Sequence, residues 1–387
     1  MQYLHPDVWS EISKYLSGED LGILCSFNRG ICRYILNHTT CLSYTGPVTP
    51  LYQCFPNLNT LRSNSEHGIN LSLLPNTLTV LSLPKDKMLT DDDLCNLPAS
   101  LISLNLQCNT QITDVGVRRL PRSLTYLNLS WNDKITDEGV RDLPRSLTYL
   151  NLLCNNKITD DGVRDLPRSL THLDLGNKIT DAGLRDLPRS LTYLNLSCNY
   201  NITDAGLRDL PRSLTYLNLS GNKITDAGVR DLPRSLTHLD LSYNCNITDA
   251  GLRDLPRSLT YLNLSCNYNI TDAGLRDLPR SLTHLDLSYN YNITDAGLRD
   301  LPRSLTYLDL GRNNNLTDDG VRDLPRSLTH LDLSCNYKIT DAGVFHFPRS
   351  LTYLNLGRNN KITDEGVRDL PRSLTSLYLN RRQRITH

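Results

Sequence analysis

Leucine returns along most of the chain in a fixed rhythm. From residue 101 the unit L-T-Y-L-N-L-S-x-N-x-x-I-T-D-A-G-L-R-D-L-P-R-S recurs every 23 residues, as from Leu259 to Ser281. Its first-position leucines are Leu101, Leu124, Leu147, Leu170, Leu191, Leu214, Leu236, Leu259, Leu282, Leu305, Leu328, Leu351 and Leu374, with shorter steps only after Leu170 and Leu214. In the copy that starts at Leu124, Leu127 and Leu129 alternate with Tyr126, Asn128 and Ser130, the period of a strand with one buried face. Asn132 should then turn inward, where its amide satisfies backbone groups that no ladder reaches. Ile135 anchors that turn. Thr136 and Asp137 are helix-start residues ahead of Val140 and Leu143, and Pro144, which has no N–H to donate, is expected to stop the helix after about two turns.

One such unit buries too little apolar surface to offset the ordering of 23 residues, so copies must stack on their neighbours. The L-x-x-L-x-L-x-x-N pattern at this period resembles the leucine-rich repeat. The fold this implies is α/β, a leucine-rich-repeat solenoid with a parallel sheet on its concave side, short helices outside, and an internal ladder of asparagines. Residues 101–387 carry the regular repeats, the last of them truncated. Residues 46–100 read as a linker with degenerate first repeats that start at Leu58 and Leu78, with Phe55 and Leu61 in the core. Arg381, Arg382 and Arg384 follow the last strand and are expected to blunt its edge against further pairing.

Residues 1–45 follow a different period. Val8, Trp9, Ile12, Tyr15 and Leu16 fall on one helical stripe behind Pro6; Ser17 to Asp20 has capping-box spacing ahead of Leu21, Ile23, Leu24 and Phe27; a third apolar segment holds Ile31, Tyr34, Ile35 and Leu36. Three short helices are expected. Leu4, Pro6, Asp7, Val8, Glu11, Ile12, Tyr15, Leu16, Asp20, Leu21 and Leu24 match the F-box pattern in order, with His5 where a proline is common and Ile31 where a tryptophan is common. The head therefore resembles an F-box, and with the repeats the chain resembles the F-box/leucine-rich-repeat family of substrate receptors. The I-T-D-x-G-[LV] element is similar to repeats common in that family, whereas L-P-R-S-L looks more like bacterial LPX repeats. The resemblance implies a non-catalytic subunit of an SCF-type ubiquitin ligase, whose head docks an Skp1-like adaptor of a cullin ligase through Leu4, Pro6, Val8, Trp9, Ile12, Leu16, Leu21 and Leu24. The alternative is a protein-binding scaffold with no link to ubiquitin.

Composition narrows the partners. There are 41 Lys and Arg against 41 Asp and Glu, so no overall field draws the chain to nucleic acid or to an acidic membrane. No apolar run approaches the roughly 18 residues of a membrane span, and the start MQYLHPDVWSEI lacks the shape of a signal peptide. An intracellular protein of the cytoplasm or nucleus is expected. Its 11 cysteines, odd in number and without a CxxC pair, then read as reduced thiols, and the N-x-[ST] triplets as by-products of the repeat. His172/Asp174, His238/Asp240, His284/Asp286 and His330/Asp332 stand two residues apart on strands. The histidines lie two or three repeats from one another, too far for one metal ion, and are expected to bond the nearby aspartate. No cofactor, metal or active site is expected, and the repeats run nearly to His387 with no room for a catalytic domain.

The better case for function is the concave face. Tyr126, Tyr149, Tyr193, Tyr216, Tyr261, Tyr307 and Tyr353 share one column with His172, His238, His284 and His330. That stripe is either a binding surface or a ladder that stacks on itself. Specificity must come from positions that vary, at the strand end just before the ladder asparagine: Trp131, Gly221, Tyr243, Tyr289, Arg312 and Arg358. All but the glycine are residue types that dominate binding hot spots. The expected target is an unidentified protein.

Overall fold

A computed structural model of the chain describes Asp20 and residues 39–44, 55–64, 69–176 and 178–379. The chain divides into two compact units, Met1–Ile179 with Asp186–Leu191, and Thr180–Arg185 with Thr192–His387. The first carries β1 (Cys41–Tyr44), β2 (Thr60–Ser63), β3 (Val80–Ser82), β4 (Ser103–Asn105), β5 (Tyr126–Asn128), β6 (Tyr149–Asn151) and β7 (His172–Asp174). The second carries β8 (Tyr193–Asn195), β9 (Tyr216–Asn218), β10 (His238–Asp240), β11 (Tyr261–Asn263), β12 (His284–Asp286), β13 (Tyr307–Asp309), β14 (His330–Asp332), β15 (Tyr353–Asn355) and β16 (Ser376–Tyr378). In each unit the strands pair in parallel and in chain order, so the sheet repeats the sequence: Tyr126 lies beside Tyr149, Leu127 beside Leu150 and Asn128 beside Asn151. This is the solenoid expected of the repeat. The sheet begins earlier than the periodicity suggested, because Cys41 pairs with Thr60 inside the stretch assigned to the helical head. The degenerate repeats join it as β2 and β3, with Phe55 and Leu61 buried. The head residues Leu4, Pro6, Val8, Trp9, Ile12, Leu16, Leu21 and Leu24, and the arginines 381, 382 and 384, lie outside the described residues.

Each strand is short because only its middle leucine must point inward; Leu127, Leu150, Leu217 and Leu285 are fully buried. Beyond the strand the asparagine turns in as expected. Asn132 Nδ2 donates to Leu106 O of the preceding repeat and to Leu129 O of its own, both at 2.9 Å, and the Asn132 N–H donates to Asn155 Oδ1 at 2.7 Å. The ladder thus satisfies carbonyls at the very point where the strands end.

The opposite side differs in one respect from the sequence reading. The helices are about one turn, four or five residues such as Asp137–Arg141 and Asp249–Leu252. The helix ends before Pro144 because the chain must bend to bring Leu143 inward. Pro144 instead opens the turn into the next strand, its carbonyl accepting from Leu147 N–H at 3.3 Å. Threonine caps the helix: Thr136 Oγ1 accepts from Glu138 N–H. The aspartate that follows reaches the next repeat. Asp114 accepts from the Thr136 N–H at 2.8 Å and from its hydroxyl at 2.7 Å, and the same pair recurs for Asp226 with Thr248 and Asp272 with Thr294. A Cβ on Gly139 would collide with that Asp114 carboxylate. The T-D-x-G signature is therefore a second ladder, in which threonine, aspartate and glycine fit one repeat to the next.

Candidate binding rim

The face of the sheet is built by alternation, its side chains standing opposite the buried leucines. The tyrosine column lies half-buried, with Tyr126 and Tyr149 stacked at 4.2 Å and Tyr193 and Tyr216 at 4.1 Å. Where histidine intervenes the spacing widens, to 6.1 Å for Tyr149–His172 and Tyr216–His238, 5.7 Å for His238–Tyr261, 6.2 Å for Tyr261–His284, 5.6 Å for His284–Tyr307, 6.1 Å for Tyr307–His330 and 5.7 Å for His330–Tyr353. Burial, and then nearby aspartates, push the Tyr261 and Tyr353 phenols up and the Tyr307 phenol up to about 12. These rings spend much of their surface on one another.

The histidines do not bond the aspartates as the sequence suggested. The Nδ1 atoms of His172, His238, His284 and His330 instead pair with the hydroxyl of the preceding threonine, at 2.9 to 3.0 Å. Side chains two apart on a strand stand about 7 Å apart, and the aspartates of the second unit are engaged elsewhere. Asp240 accepts from the Ser242 N–H, Asp286 from Ser288, Asp309 from Gly311 and Asp332 from Ser334, at 2.7 to 2.9 Å. Among the described residues no group of three or more His, Cys, Asp or Glu converges as metal ligands would.

Those bonds are Asx turns, a carboxylate or amide oxygen catching the N–H two residues on. They set the backbone of the residue that follows, which is left-handed in every regular copy described: φ is 63° at Trp131, 57° at Tyr243, 60° at Tyr289, 62° at Arg312, 67° at Arg358 and 65° at Gly221. Only the glycine adopts this conformation freely; the larger residues carry about 1 kcal/mol or more of strain each. The same backbone recurs at Cys266 and Cys335, which are buried, so exposure at this position depends on the side chain it carries. Trp131 is 55% and Tyr243 59% exposed, and Arg312 lies over the Tyr289 ring at 4.9 Å.

A further row was not singled out in the sequence. Tyr200, Tyr268, Tyr291 and Tyr337 follow the ladder asparagine directly and are between 41% and 59% exposed, with Tyr268 and Tyr291 stacked at 5.7 Å. Their signal was the N-Y pair inside N-x-x-I. With Trp131 and Tyr243 they hold most of the exposed large aromatic surface of the described chain. The sequence-chosen residues therefore separate into a half-buried stacked column and an exposed rim.

Family models described as leucine-rich repeats match residues 98–210 and 256–370 in nearly unbroken succession, and a two-copy version matches residues 212–257. No curated protein matches the chain. Among solved structures, a chain of the yeast Rad7 and Elc1 complex is similar at 17% identity and a TM-score of 0.51, over 96% of this chain and 91% of that one. The internalin inlF of Listeria monocytogenes aligns at 20% identity over 93% of each chain, with a TM-score of 0.46.

Proposed function

This chain belongs to the leucine-rich-repeat family, and on that footing we propose that it is a non-catalytic receptor whose exposed rim holds a target protein while the residues that precede β1 dock an Skp1-like adaptor of a cullin ligase. The observation that carries the target half is the row of bulky residues kept in a left-handed backbone. Backbone strain of this kind gathers where function needs it, and Trp, Tyr and Arg are the residues on which interfaces depend most. Each unit also carries a stacked ring column, from Tyr126 to His172 in the first and from Tyr193 to Tyr353 in the second. The adaptor half rests on the F-box pattern at Leu4, Pro6, Val8, Trp9, Ile12, Leu16, Leu21 and Leu24.

Two measurements test the halves separately. Purified full-length chain should capture a purified Skp1-like adaptor, and the double change Leu4→Ala with Pro6→Ala should abolish capture while the melting curve of the repeats stays put. No capture by the wild type removes the ubiquitin link and leaves the scaffold reading. For the target, Trp131→Ala, Tyr243→Ala and Arg312→Ala should each weaken binding by about 2 kcal/mol. Arg280 is a control on the helix side, tied to Asp300 O and Arg276 O. If Arg280→Ala weakens binding and all three rim changes do not, the other face is the binding face.

A further inference from the structure

The repeat that starts at Leu214 is the one described repeat of the second unit that holds glycine in the rim position. It places Gly221 where its neighbours hold Cys198 and Tyr243, and it is one residue short after the ladder asparagine, so Lys223 follows Asn222 where the other complete copies of the second unit insert a tyrosine, cysteine or asparagine. Two side chains are missing side by side. The result is a notch of about 500 Å³ lined by Cys198, Tyr200, Ser220, Gly221, Ser242 and Tyr243, together with the ladder Asn222.

Three features describe what fits it. The lining holds no Lys, Arg, Asp or Glu, so nothing there would compensate a charged group or hold a phosphate. The walls are rings, Tyr200 from the repeat before and Tyr243 from the repeat after, both exposed. Strands lie about 4.8 Å apart, which sets these repeats roughly 10 Å from each other. The two rings stand in different rows, Tyr200 just after its ladder asparagine and Tyr243 just before its own, so an aromatic group entering the notch meets a ring from each row. The floor is open down to sulfur: a Cβ on Gly221 would stand 3.5 Å from Cys198 Sγ, and thioether and thiol sulfurs make favourable contacts with aromatic rings.

We infer that the notch at Gly221 receives an uncharged aromatic side chain of the bound protein, and that this glycine sets specificity by leaving room for it. The inference rests on the rim being a protein-binding surface. Filling the notch need not disturb the fold, because Tyr243 and Tyr289 hold tyrosine at the equivalent position with φ of 57° and 60°.

The test uses the full chain labelled with 15N-glycine and N-acetyltryptophanamide as the probe. Titration should shift the Gly221 amide signal saturably, and saturation transfer to the indole should fall at least fivefold in Gly221→Tyr and in Tyr243→Ser, both checked for native circular dichroism. A single-stranded oligothymidine should leave Gly221 unmoved. A Gly221 signal indifferent to the indole, equal transfer in Gly221→Tyr, or a larger shift from the oligonucleotide would each overturn the proposal. The two readings fail separately. A protein partner that binds Gly221→Tyr as well as wild type removes the notch and keeps the rim, whereas indole binding at Gly221 with no contribution from Trp131 or Arg312 to any partner keeps the notch and removes the rim.

Discussion

Glycine inside a helical turn ordinarily costs about 0.5–1 kcal/mol relative to alanine, yet the sign should reverse at Gly251. A Cβ there runs into the Asp226 carboxylate, which already accepts from the Thr248 N–H at 2.8 Å and its hydroxyl at 2.7 Å. Gly251→Ala should destabilise by about 1–3 kcal/mol, the usual cost of overpacking, read from the midpoint of urea unfolding; a stabilised variant would refute the inter-repeat ladder. A second test concerns Asp309. Elsewhere in its column an asparagine donates across to the aspartate before it, Asn263 to Asp240 at 3.2 Å and Asn355 to Asp332 at 2.6 Å. Asp309 instead lies between Asp286 and Asp332. Burial, and then those two carboxylates, push its carboxyl up to about 7. The folded form thus holds a proton that the unfolded chain, near its ordinary 3.9, releases. Stability should fall as pH rises from about 4 to about 7 and level off above. Asp309→Asn supplies the missing amide, so it should melt above wild type at pH 8, with the difference vanishing towards pH 4; a constant difference across that range would remove the assignment. The sequence showed the capping threonine and the column of aspartates, because those follow from local spacing. What each carboxylate faces across the repeat was not written in any one copy.

A repeat is the smallest piece with a complete set of neighbours, and most of it was readable: strand, inward asparagine, anchor isoleucine and capped helix all follow from alternation and from caps. The helix length was misjudged, because Pro144 reads locally as a stop while the actual limit is the bend that buries Leu143. The division of the face into stacked column and exposed rim also escaped, since strict alternation would put Trp131, five residues after Tyr126, on the opposite face, and only the left-handed backbone at that residue shows that the alternation ends there. Because the bonds of each unit run to the unit before and the unit after, removing Leu259 to Ser281 should let Leu282 take the place of Leu259. A shorter protein with unchanged circular dichroism per residue and a single melting transition is expected. Aggregated or unfolded product would mean that the units are not interchangeable. The splice also sets Asp240 beside Asp286 without Asn263 between them, so between about pH 4 and 7 the deletion should lose more stability than the parent as pH rises.

The chain holds 41 basic and 41 acidic residues, and on the helix side many of the arginines are paired with a carboxylate of the next repeat. Along the helix side of the second unit, Arg208 meets Asp231, Arg230 meets Asp254, Arg253 meets Asp277, Arg276 meets Asp300 and Arg299 meets Asp323, at 2.9 to 3.2 Å. Each such pair is exposed and adds little to stability by itself. Its larger effect is on what can approach. An arginine that bridges to the next repeat offers a passing phosphate no unopposed charge, and the second arginine of these copies, Arg212, Arg234, Arg257, Arg280 or Arg303, is turned onto backbone, as Arg257 is onto Asp277 O and Arg253 O. A row that reads as basic in the motif R-D-L-P-R-S is thus opposed step by step from Arg208 to Arg299. Nucleic-acid binders instead present an unopposed stripe, and even without sequence preference they reach dissociation constants of about 10⁻⁴ to 10⁻⁶ M at physiological salt. Fluorescence anisotropy of labelled duplex DNA should therefore stay flat to about 10⁻⁵ M protein at 0.15 M salt. Micromolar binding that weakens steeply with added salt would show that the helix side carries an open basic surface after all, and that the aromatic rim is not the only face this chain offers to a partner.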